Sequence, residues 1–72
     1  MEKELRRLLF TGPPLNDDEK QAVARVFFAI DLRAEVTIYD KGLLLVYLLT
    51  SKTNLNKLVR TLKNKFKYAE AH

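Results

Sequence analysis

The side chains whose type and spacing could do chemistry lie near the end of the 72-residue chain: Lys57, Arg60, Lys63 and Lys67. Intervals of three and four residues bring a cation to one side of a helix at nearly every turn. Such a row neutralises successive phosphates of a nucleic-acid backbone, with a steep dependence on salt. A solvated face that keeps a small protein soluble has the same pattern. Aromatic interleaving for base stacking is thin, since Tyr68 falls near that side while Tyr39 and Tyr47 fall on strands.

Other chemistry is poorly supplied. His72 is the sole histidine and is terminal, and Ser51 is the sole serine, placed at a helix start where capping is its ordinary role. There is no cysteine, which removes disulfides, thiolate catalysis and zinc–thiolate sites together. Asp17, Asp18 and Glu19 are consecutive, so on a helix they point in different directions, and the positive end of the helix dipole accounts for them better than a metal does. With only Gly12 and Gly42, no glycine-rich phosphate loop exists. The expectation is a protein that is not an enzyme, with no catalytic residues, cofactor or metal.

The net charge of +4 is unevenly spread. Residues 1–40 carry six cations against eight acids, residues 41–72 seven cations against Glu70 alone. The basic character therefore belongs to the C-terminal segment and points to an anionic partner. An apolar fraction of 47% with 31% charged residues is that of a globular chain. No apolar run approaches the roughly 20 residues of a membrane span. Met1-Glu2-Lys3-Glu4 has neither the basic nor the apolar region of a signal peptide, so a cytoplasmic location is expected.

These residues need elements to position them, and one domain over 1–72 is expected. Leu43 to Leu49 is a run of seven apolar residues bounded by Gly42 and by Thr50-Ser51, which reads as a strand buried on both faces, 43–50. Leu43, Leu45, Tyr47 and Leu49 line one side of it, and Leu44, Val46 and Leu48 the other. Residues 33–40 alternate apolar and polar, and Asp40-Lys41-Gly42 suits a three-residue hairpin with Gly42 in the left-handed conformation. Residues 4–11 fit either a strand or a helix. The strand is preferred, and Gly12-Pro13-Pro14 ends either one.

A helix over 16–31 follows, with Asn16 and Glu19 at capping-box spacing and Val23, Val26, Phe27 and Ile30 as its core stripe. Phe28 lies off that stripe, covered by the N-terminal segment or facing a partner. The last helix, 53–69, has Ser51 or Thr53 as its N-cap. Its dry stripe of Leu55, Leu58, Val59, Leu62, Phe66 and Ala69 stands opposite the cations. The fold class is therefore α+β, a small antiparallel sheet in the order β-α-β-β-α with two helices on one face. A domain of this size has a thin stability margin that oligomerisation commonly relieves. Two helices leave one sheet face uncovered, so Leu43, Leu45, Tyr47 and Leu49 are the expected dimer or partner interface, and Lys57, Arg60, Lys63 and Lys67 the expected nucleic-acid or anion contact.

This element order, the leucine spacing of Leu55, Leu58, Val59 and Leu62, and the closing Phe66-Lys67-Tyr68-Ala69-Glu70 resemble the small dimerisation subunit of KEOPS, the complex that makes threonylcarbamoyladenosine on transfer RNA. Gly12-Pro13-Pro14 and the very basic last helix depart from that pattern and suit a divergent paralogue. The resemblance implies a non-catalytic accessory subunit that pairs with itself or a homologous small subunit, meets a larger catalytic subunit, and helps to hold transfer RNA. A small dimeric DNA-binding regulator or phage-type inhibitor is the alternative. A designed mini-protein without ligand is a second, although Phe28 and the proline pair are irregularities that idealised sequences avoid.

Overall fold

Alternating apolar residues and two glycines decide the path of the chain. Glu4–Thr11 forms a strand (β1), Asp17–Phe28 a helix (α1), Glu35–Tyr39 and Leu43–Thr50 two strands (β2, β3), Lys52–Phe66 a helix (α2) and Ala69–Glu70 a short strand (β4). This is the arrangement in a computed structural model that describes residues 2–71. The sheet runs β2-β3-β1-β4 with each neighbouring pair antiparallel. Two helices on one face of this order make the split β-α-β topology of ferredoxin-like domains.

β3 is the centre of the sheet, paired along all eight of its residues with β1 and along five with β2. Its alternation works as a sorting device. Leu44, Val46, Leu48 and Thr50 are fully buried under the helices, together with Leu8 and Phe10 of β1. Val23 and Phe27 of α1 and Leu58 and Leu62 of α2 close this core from above. The rings of Phe10 and Phe27 meet tilted, with centroids 6.0 Å apart. Each such side chain contributes about 1.5–3 kcal/mol by leaving water.

α1 begins with the capping box that its sequence predicts: Asn16 Oδ1 accepts from the Glu19 N–H at 2.8 Å, and Glu19 Oε1 accepts from the Asn16 N–H at 3.0 Å. Ser51 caps α2, its hydroxyl oxygen accepting from the Asn54 N–H at 3.2 Å. Gly42 closes the β2–β3 hairpin at φ +85°, as the three-residue turn requires. The Gly42 carbonyl accepts from the Gly12 N–H at 2.9 Å, which ties the hairpin to the end of β1.

Some expectations are corrected. The last helix stops at Phe66 rather than at residue 69, because Lys67 turns left-handed at φ +62° and the Tyr68 N–H closes back onto the Leu62 carbonyl at 3.0 Å. Ala69, placed on the helical stripe by its spacing, belongs instead to β4, a strand that the periodicity does not announce. Tyr68 is not beside the cations. It is buried in the core, its ring against Gly12 and its hydroxyl donating to the Pro13 carbonyl. Phe28 is exposed, not covered by the N-terminal segment, which is committed to the sheet as β1. α1 also ends earlier than 31, at Phe28, where Ala29 caps it, and β2 is shorter than 33–40.

The corner where Gly12, Gly42 and Tyr68 meet tolerates no added carbon. A Cβ at Gly42 would collide with the Gly12 carbonyl oxygen, on a backbone that already disfavours side chains. Gly42→Ala is expected to cost at least about 2 kcal/mol, measured by urea unfolding, and more than the same change at a surface helix position.

Candidate interaction surfaces

The sheet face opposite the helices is apolar. In register, three rows cross it from β2 through β3 to β1: Glu35, Tyr47, Arg7; Thr37, Leu45, Leu9; and Tyr39, Leu43, Thr11. A fourth pairs Leu49 with Leu5 beyond the start of β2. Leu5 is 74% exposed, Leu49 42% and Tyr47 38%, while Leu43, Leu45 and Leu9 are half-buried by their neighbours alone. All four residues expected at the interface, Leu43, Leu45, Tyr47 and Leu49, thus share this uncovered face. Leu5, Leu9, Arg7 and Glu35 join them. The signal for Leu5, Arg7 and Leu9 is present in the alternation of residues 4–11 and that for Glu35 in the alternation of 33–40, but only the β1–β3 and β2–β3 registers reveal which strand they extend.

Two tyrosines among five leucines suit burial against another apolar surface better than a stack of bases, because Tyr39 and Tyr47, although on adjacent strands, are two rows apart with Thr37 and Leu45 between them. At the end of this face where β1 and β2 begin and β3 ends, a groove of about 450 Å³ is lined by Leu5, Asp31, Arg33, Glu35, Tyr47 and Leu49.

Asp31 holds the rim of that groove. β2 is too short to reach Leu49, and the Asp31 carboxylate takes over where the ladder stops, accepting from the Leu49 N–H at 2.9 Å and from the Arg33 N–H at 3.0 Å. These two bonds, Leu49 first, hold its carboxyl below the ordinary value of 3.8.

The second surface is the back of α2. Lys57, Arg60 and Lys63 are all exposed on the helix, which contains no acid. Lys67 is exposed too, but it stands past the helix end at the left-handed cap and not in the helical row. Among the described residues none of the four is ion-paired; the two salt bridges are Arg6–Glu4 at 3.4 Å and Lys20–Asp40 at 3.1 Å. Lys63 and Lys65 also complement the negative end of the helix dipole, which is a structural reason for part of the charge. Among the described residues no cluster of three or more His, Cys, Asp or Glu side chains is placed to hold a metal, and no helix is long and apolar enough to cross a membrane.

No family model, curated protein or solved structure matches the chain.

Two outcomes follow from this geometry. A lysine in the left-handed region is strained relative to glycine, so Lys67→Gly is expected to stabilise the fold by about 1 kcal/mol in chemical denaturation while removing one cation. Asp31 is depressed in the folded state, so its contribution is full above its unfolded value of 3.8 and is lost as pH falls through the lower folded value. Urea midpoints followed from pH 6 to pH 2 should fall below about pH 4, and Asp31→Asn should flatten that part of the decline.

Proposed function

We propose that the chain is a non-catalytic accessory subunit that pairs through its open sheet face and turns the basic back of α2 toward RNA. In this reading it serves a cytoplasmic transfer-RNA-modifying assembly of the KEOPS kind. The observation that carries the reading is the row of Leu5, Leu9, Leu43, Leu45 and Leu49 on a face that neither helix covers. Exposed apolar area on this scale in so small a domain is the mark of an interface. The strand, helix, hairpin, helix order of that family is also the order found, with β4 added.

The division of labour follows from the two layers. Leucines on the sheet's outer side supply association, and cations on the far side of the helix layer remain free when that association forms. Lys57, Arg60 and Lys63 then meet phosphates without competing acids on their own helix. Duplex DNA offers the same phosphates, so a small dimeric DNA-binding regulator is the reading to be separated by experiment.

Leu45→Asp and, at an exposed position that leaves the core untouched, Leu49→Asp should each weaken association at least about 100-fold by sedimentation or light scattering, because a carboxylate would be buried in the interface. Arg60→Glu with Lys63→Glu should weaken transfer-RNA binding and reduce its salt slope by about one for each phosphate no longer neutralised. Tighter binding of the parent to duplex DNA than to transfer RNA at matched salt would favour the regulator, and an unchanged salt slope would leave the cations as a solvated face.

A further inference from the structure

Resting on that pairing reading, we propose that the occupant of the open face is a second copy of this chain, packed face to face about a twofold axis that runs along β3 between the two sheets. The charges on the face select both the partner and the axis. Glu35 on β2 and Arg7 on β1 stand at the two ends of one row, separated by Tyr47, and both are exposed. A rotation about the β3 direction exchanges left and right of the sheet but keeps each position along the strand. It lays Glu35 over the partner's Arg7 and Arg7 over the partner's Glu35, with Tyr47 meeting its own copy on the axis. An axis through the same row but across the strands would instead stack Glu35 on the partner's Glu35 and Arg7 on the partner's Arg7. Like charges facing each other in a drying interface oppose association strongly, and moving that axis to the Leu45 row would lay Glu35 over the partner's Tyr39 and Arg7 over the partner's Thr11, leaving both charges unpaired.

The remaining rows fit the same operation. Leu45 meets its copy, Thr37 lies over the partner's Leu9, and Tyr39 over the partner's Thr11, so no charge faces a leucine in these two rows. Leu5 has no β2 residue beside it in its own row. The rotation carries the partner's Leu5 across to the Asp31 and Glu35 side of the groove, whose roughly 450 Å³ is ample for one leucine side chain. The most exposed apolar side chain of the face thus fills the groove beside Asp31. Packed sheets are offset by about 30° and stand about 10 Å apart, so rows correspond while individual side chains interdigitate.

The test is a charge exchange followed by sedimentation of the full-length chain. Glu35→Arg alone places two cations at each end of the row, and Arg7→Glu alone two acids; each should raise the dimer dissociation constant about tenfold or more. Mixed one to one, the two variants restore both opposite pairs, and the mixture should dimerise about as tightly as the parent. Both residues are exposed, so neither change threatens the core. A mixture no tighter than its components, with Leu49→Asp still abolishing association, would overturn this axis and leave pairing through the face intact. A parent chain that stays monomeric at millimolar concentration would overturn the self-pairing as well.

Discussion

Two helices can cover one face of a sheet and no more. In this chain the central strand is apolar on both sides, and the helices take Leu44, Val46 and Leu48, leaving Leu43, Leu45, Tyr47 and Leu49 outside. The imbalance is not a property of β3 alone. β1 repeats it, with Leu8 and Phe10 inward and Leu5 and Leu9 outward, and the eight-residue register between the strands joins the two outer sets into one surface. β2 contributes the polar margin, Glu35 and Thr37, which gives the surface a definite edge.

What orients the basic layer relative to this surface is the corner at the other end of the sheet. Gly42 and Gly12 join the hairpin to β1, and Tyr68 packs its ring on Gly12 while its hydroxyl reaches Pro13. Tyr68 immediately follows the left-handed residue that stops α2. The end of the helix is thereby pinned to the sheet, and β4 is held against Phe10 and Thr11. Burial keeps the Tyr68 hydroxyl protonated above its ordinary range, which preserves its donor role in alkaline solution.

Much of this is legible from residue types. The capping box, the Gly42 hairpin, the N-cap at Ser51 and the two-sided apolar strand each have a local physical cause, and local causes can be read one segment at a time. The closing strand cannot be read that way. Phe66 and Ala69 continue a plausible helical period, and nothing in a run of lysines and asparagines announces that Lys67 will leave the helix. The break is enforced from a distance, by the space for an aromatic ring beside Gly12. Two residues of strand are likewise too few to show any alternation. Phe28 escapes for a related reason: its angle on the helix is readable, but its cover depends on where β1 lies. Of the candidate surfaces, the apolar one needs only strand alternation. The part contributed by Leu5, Leu9, Arg7 and Glu35 needs a register, which is a relation between segments.

The layering of the domain also limits how a pair of copies could hold a polyanion. Because α2 lies behind the sheet, its lysines and arginine look away from the leucine surface. Joining two copies through that surface sends their cations outward in opposite directions, separated by four layers of secondary structure. Such a particle would not grip one strand from two sides. It would act as a spacer or bridge between separate phosphate-bearing segments, each engaged by a single short helix.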